Sequence, residues 1–188
     1  MKETTITISI LKRDLRTQVI SSDFDNVIFS ETGAELHTVS QIDLSGEYNK
    51  TYRVLADFVG LNDETVLIDG SRLFICLFDE IAVVDLTTDK VESIINYENY
   101  QLFGIYKFKS GYFVRGEGSN MFLDNDLACV WELGSVDIFA NPIVENQFEI
   151  HDDYIAVYDW CGYRHFYDEA GMIKIEEHPE YDMNKNSF

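Results

Sequence analysis

Tyr154-Ile155-Ala156-Val157-Tyr158-Asp159-Trp160-Cys161-Gly162-Tyr163-Arg164-His165-Phe166-Tyr167-Asp168-Glu169-Ala170-Gly171-Met172-Ile173-Lys174-Ile175 reads as three short β-strands joined by two tight turns. Aromatic and β-branched residues fill the strands, and such side chains fit a pleated, half-buried surface. Asp159 and Asp168 open the turns. A short carboxylate can cap a turn through its own acceptor, and Gly162 and Gly171 supply the positive φ that the chain needs to reverse.

The same arrangement recurs upstream. Gly111-Tyr112-Phe113-Val114 and Asn120-Met121-Phe122-Leu123 lead to Asp124-Asn125-Asp126 and then Leu127-Ala128-Cys129-Val130-Trp131. Before that, Arg72 to Phe78 and Ile81 to Val84 lead to Asp85, and Lys90-Val91-Glu92-Ser93-Ile94 follows. The first copy is the weakest: Asn26 to Phe29, Leu36 to Val39, Asp43-Leu44-Ser45-Gly46, then Thr51 to Leu55. The four aspartates Asp43, Asp85, Asp124 and Asp168 are spaced by 42, 39 and 44 residues. A period of roughly 40 to 45 residues with several strands per copy is the signature of propeller blades. The expected fold is therefore all-β: about four antiparallel units of roughly 42 residues in a small propeller-like arrangement, with a β-sandwich as the alternative.

No long amphipathic helix is expected; Leu11 to Val19 could make one or two turns. Ser135 to Glu145, with Pro142, reads as an irregular connection. Residues 1–188 are expected to form a single β domain, with 178–188 a tail that lacks periodicity. The start, Met1-Lys2-Glu3-Thr4-Thr5, has no apolar signal-like core, and no apolar run approaches the roughly 18 residues of a membrane helix, so export and membrane spanning are not expected. Cys76, Cys129 and Cys161 are odd in number and far apart, which reads as reduced thiols in a cytoplasmic protein.

The formal net charge is −20. It is uneven: residues 117–188 hold 16 acids against Arg164, Lys174 and Lys185. Such a surface repels nucleic acid and anionic membrane and speeds encounter with a basic protein. A catalytic reading would begin at His151, Asp152, Asp153, Asp159 and His165. Yet one strand separates Asp152-Asp153 from Asp159, a distance of about 17 Å at strand rise, and the spacing of Cys161 and His165 lacks a second zinc-ligand pair. No nucleophile elbow, phosphate loop, metalloprotease or dinucleotide motif occurs. No catalytic, cofactor-binding or metal residues are assigned, no cofactor is expected, and the protein is read as no enzyme.

Trp160 and Tyr163 flank the Cys161-Gly162 turn beside Asp159, and Asp137 precedes Ile138-Phe139. Aromatic anchors ringed by acids suit a Lys- or Arg-rich partner. Trp131 and Phe139 are better placed as filling between sheets. The expected partner-binding residues are Glu117, Asp137, Asp152, Asp153, Asp159, Trp160 and Tyr163.

Two motifs, W-x-x-G-x-x-D-I-F from Trp131 to Phe139 and D-W-x-G-x-x-x-x-x-D-x-x-G from Asp159 to Gly171, resemble a pattern in small bacterial immunity proteins. Those are encoded beside contact-dependent growth-inhibition toxins and other polymorphic toxins. The resemblance implies a cytoplasmic protein that binds the C-terminal domain of one cognate toxin and covers its active site. Such toxins are often basic nucleases (RNases or tRNases), whose phosphate-gripping cleft an acidic surface can occupy. It implies no direct contact with nucleic acid or membrane, and it carries over no binding residues. Two rival readings remain: a propeller-like interaction scaffold, and a hydrolase acting through clustered carboxylates.

Overall fold

The computed structural model describes residues 4–13, 27–29, 38–56, 61–97, 101–135, 137–141, 144 and 146–177. Its strands form four sheets of four. The first holds β1 (Thr5–Arg13), β2 (Val27–Phe29), β3 (Thr38–Ser45) and β4 (Lys50–Ala56). The second holds β5 (Val66–Asp69), β6 (Arg72–Leu77), β7 (Glu80–Asp85) and β8 (Lys90–Asn96). The third is β9 (Leu102–Phe108), β10 (Gly111–Gly116), β11 (Ser119–Leu123) and β12 (Cys129–Gly134). The fourth is β13 (Phe148–Ile150), β14 (Ile155–Tyr158), β15 (Tyr163–Asp168) and β16 (Gly171–Glu177). In the last three sheets, neighbours in space are neighbours in the chain. Each is thus a four-stranded meander of the kind that forms a propeller blade, and the all-β, propeller-like expectation holds.

The first sheet departs from the pattern. Its order is β1-β3-β4-β2, and β2 runs parallel to β4. β3 runs against β4, and the hairpin between them brings β4 back in the direction of β2. Residues 11–13, expected to begin a helical turn, extend β1 in ladder with Thr38 and Val39; residues 14–19 of that expected turn lie outside the described residues, as does the 178–188 tail.

Burial follows position within the sheet. β11 and β14 are buried along their whole length, whereas β12 and β16 are mostly exposed. A strand covered on both faces has no polar side to alternate with, hence the unbroken apolar runs at Ile155–Tyr158 and Leu73–Leu77.

The chain divides into two compact units, Met1–Ile105 and Tyr106–Phe188. The first packs Ile42, Leu44, Tyr52 and Val54 with Leu73, Ile75 and Val84. Its two sheets are also tied by polar contacts: Tyr52 donates its hydroxyl to Asp89 at 2.6 Å, and Lys50 reaches the same carboxylate at 2.7 Å. The second unit is built on aromatic rings. Trp131 lies against Phe113, Phe122 and Tyr167 with centroids 6.1, 6.0 and 5.5 Å away. Its indole N–H donates to the Glu169 carbonyl at 3.0 Å. Each such ring pair adds about 0.5–1.5 kcal/mol beyond the area it buries. Trp131 and the buried Phe139 thus fill space between sheets, as expected.

Three of the four repeating aspartates do cap turns. Asp85 accepts the Thr87 N–H at 2.7 Å and the Thr87 and Thr88 hydroxyls at 2.6 and 2.9 Å. Those bonds, led by the Thr87 hydroxyl, hold its carboxyl down at about 2. Asp124 accepts the N–H groups of Asp126 and Ala128, and Asp168 that of Ala170. Asp43 does not. It lies within β3, directly across from Thr51, whose hydroxyl it accepts at 2.6 Å, and the chain turns later at Gly46 with φ 114°.

Candidate functional site

The β14–β15 hairpin carries the features that the sequence singles out, and a buried carboxylate organises it. Asp159 is 2% exposed. One carboxylate oxygen accepts the Tyr163 N–H at 2.9 Å; the other accepts the Ser135 hydroxyl at 2.9 Å and lies 2.9 Å from His165 Nε2. The Asp159 carbonyl accepts the Gly162 N–H and the Asn141 amide. Burial alone would push this acid up. The hydrogen bonds from His165, the Tyr163 backbone and Ser135 outweigh it and hold the carboxyl below its ordinary value. Asp159 was expected to meet a partner; instead it is enclosed and saturated by its own fold. It is therefore a positioning group.

What the network positions is the tip. The Trp160 N–H donates to the Ile138 carbonyl at 2.8 Å, and the Phe139 N–H donates to the Glu117 carbonyl at 2.8 Å. The 137–141 segment therefore bridges the β14–β15 turn and the β10–β11 turn. This brings Glu117, Asp137, Trp160 and Tyr163 to one end of the second unit. Trp160 and Tyr163 keep 41% and 43% of their surface open, although their backbones are pinned. Asp137 accepts the Cys161 thiol at 3.3 Å. Desolvation, then that hydrogen bond and charge, push the Cys161 thiol up from its ordinary value.

Asp152 and Asp153 are not part of this group. They lie in the β13–β14 turn, at the opposite end of β14, where Asp153 faces Lys109 at 3.8 Å. Ser110 reaches Glu169 at that same end through its backbone N–H at 3.0 Å. The seven expected residues thus divide into a tip of four, one buried organiser and a remote exposed pair. The sequence reading missed Glu177, the cross-strand partner of Tyr163, and the exposed apolar side chains of β16. Among the described residues no group of three or more His, Cys, Asp or Glu side chains could hold a metal ion. No helix among them is long and apolar enough to cross a membrane, and the three cysteines are free thiols.

No family model matches the chain, and no curated protein matches it. Solved structures do resemble it. A computationally designed protein, Ika8, aligns with TM-score 0.52 at 9% identity, over 80% of this chain and 52% of that one. BBS1N, solved in complex with ARL6DN and β-propeller-like, aligns with TM-score 0.50 at 14% identity, over 94% of this chain and 52% of that one. The dihydro-heme d1 dehydrogenase NirN, in complex with DHE, gives TM-score 0.52 at 10% identity over 75% and 34%. The chain spans about half or less of the length of each. At these identities the likeness concerns the fold alone.

Proposed function

We propose that this protein is a bacterial immunity protein of the cytoplasm, which neutralises a cognate toxin domain by seating its acidic, aromatic tip over the toxin's basic cleft. The observation that carries the reading is the tip itself: two half-open aromatic rings on a hairpin whose backbone is locked, beside Glu117 and Asp137, in a chain of net charge −20. A rigid aromatic anchor loses little conformational entropy on binding, and Trp and Tyr dominate the energetics of protein interfaces. The uneven charge adds speed, because a cationic partner is drawn in over the distance that salt leaves unscreened. A nuclease of the RNase or tRNase kind offers such a cleft. The protein itself carries out no reaction in this reading.

The test is co-expression with the C-terminal domain of a secreted protein encoded immediately upstream. Wild type should restore growth. Trp160→Ala with Tyr163→Ala should abolish protection and raise Kd by about 30-fold or more, the cost of losing one hot-spot residue of about 2 kcal/mol. Asp152→Lys with Asp153→Lys, remote from the tip, should slow association and leave dissociation unchanged. Full protection by the double alanine variant would refute the tip as the binding surface. Capture of several unrelated proteins in a pull-down would favour the scaffold reading.

A further inference from the structure

We propose that β16 is a second docking element, an open sheet edge that takes up an extended cationic segment of a partner by strand addition. The proposal rests on the preceding reading only for the sign of the partner's charge. Among the described residues β16 ends its sheet and pairs with β15 alone. Every residue from Met172 to Glu177 is exposed. Met172, Ile173 and Ile175 are 47%, 51% and 47% open, placing on a single strand three of the ten exposed large apolar side chains among the described residues. Among the described residues, the edge strands β1, β8, β12 and β13 carry one each: Ile10, Val91, Val130 and Ile150. With Trp160 and Tyr163, half of that set falls between residues 160 and 175.

Proteins usually protect such an edge with inward-pointing lysines, proline, a bulge or mere shortness. β16 spans seven residues. Its one lysine, Lys174, is already held by Glu176 at 2.5 Å. The register shift leaves Ile173 as an extra residue in β16, a bulge near the start of the strand; beyond it Lys174 to Glu177 keep regular pairing with Tyr163 to Phe166. A regular ladder on one side leaves regular backbone groups on the other, the template that strand addition needs. Side chains alternate across that template: Ile175 and Glu177 share the face of His165 and Tyr163, whereas Lys174 and Glu176 share that of Phe166 and Arg164. The matching strand places an apolar residue beside Ile175 and basic residues beside Glu176 and Glu177. A second copy of this chain is the poorer occupant, since each brings net charge −20.

The probe is a short synthetic peptide of alternating Lys and Val, compared with its counterpart N-methylated at alternate residues. The two carry the same charge, but the second cannot complete a ladder. Each is titrated into the isotope-labelled full chain and followed by amide shifts and hydrogen exchange. Slowed exchange confined to alternate amides of residues 174–177, with affinity about tenfold or more weaker for the methylated peptide, supports the proposal. Equal affinity of the two peptides would reduce the contact to charge attraction and overturn it, as would absence of any response in β16. Protection of β16 that grows with protein concentration in the absence of peptide would assign the edge to a second copy and also overturn it. Ile175→Lys, at a half-open position, should leave the fold intact and weaken the peptide. Trp160→Ala should leave peptide binding unchanged while weakening toxin neutralisation, so failure of the edge and failure of the tip are seen separately.

Discussion

Replacing Asp159 with alanine tests the distinction between organiser and contact residue. The carboxylate is 2% exposed and takes three hydrogen bonds, from Ser135, the Tyr163 backbone and His165. Truncation orphans all three partners in a dry site. An unsatisfied buried polar group costs about 1–3 kcal/mol, and partial access of water at Tyr163 relieves some of that, so Asp159→Ala should lose about 3–5 kcal/mol. Against the roughly 5–15 kcal/mol of a typical domain, such a loss brings the second unit near its unfolding threshold. Asp159→Asn keeps one acceptor and should lose about 1–2 kcal/mol. Urea denaturation followed by tryptophan fluorescence gives both numbers. The acid limb gives a third reading. In the fold the Asp159 carboxyl lies below its ordinary 3.8. The unfolded chain therefore binds more protons in that window, and the stabilisation is full above the ordinary value and lost as pH falls through the lowered one. Asp159→Asn should flatten that part of the stability–pH curve. A loss under about 0.5 kcal/mol for Asp159→Ala would place it among ordinary surface changes, and the positioning role would fall.

Two further perturbations address packing and thiol chemistry. A Cβ at Gly111 would stand 2.1 Å from the Leu123 carbonyl oxygen and 2.8 Å from Phe122 Cζ; Gly111→Ala should therefore cost about 2–3 kcal/mol in the same denaturation assay, and wild-type stability would show that the β10 start can shift. Iodoacetamide should label Cys129 first, Cys161 slowly and Cys76 only on unfolding; desolvation pushes all three thiols up, and Cys129 alone is exposed, so access sets the order. Asp137→Asn should speed labelling of Cys161 by removing the adjacent carboxylate; an unchanged rate by mass spectrometry would show that Asp137 does not govern that thiol.

The middle strands of the repeat were legible because burial on both faces leaves an unmistakable apolar run, as at Ile155–Tyr158 and Ile81–Val84. The opening strands β5, β9 and β13 were not read. β13 has only three residues, too few for any period to show. Asp43 looked equivalent to the other aspartates by spacing, but its role is set by Thr51 across the ladder, a partner that only the register reveals. Asp159 was misread for a related reason. An Asp-Trp-Cys-Gly turn has the composition of a surface loop, and burial of its first residue depends on Ser135 and Asn141, which belong to an irregular segment with no pattern of its own. Met172, Ile173 and Ile175 had the opposite problem: an apolar strand reads as core unless the sheet order places it at an edge.

Burial of Asp159 changes how the charge of this molecule can act. The acid nearest the aromatic rings spends its charge inside, on His165 and Ser135, so the tip's outward negative field comes from Glu117, Asp137 and Glu177. Asp152 and Asp153, the most exposed acids of the original group, face away and act through the long-range field alone. In the proposed complex, recognition divides among separate physical terms: steering by remote carboxylates, anchoring by Trp160 and Tyr163, and order imposed by a buried network. Since steering alters association and anchoring alters dissociation, the three roles can be separated by rate measurements on single variants without knowledge of the partner's structure.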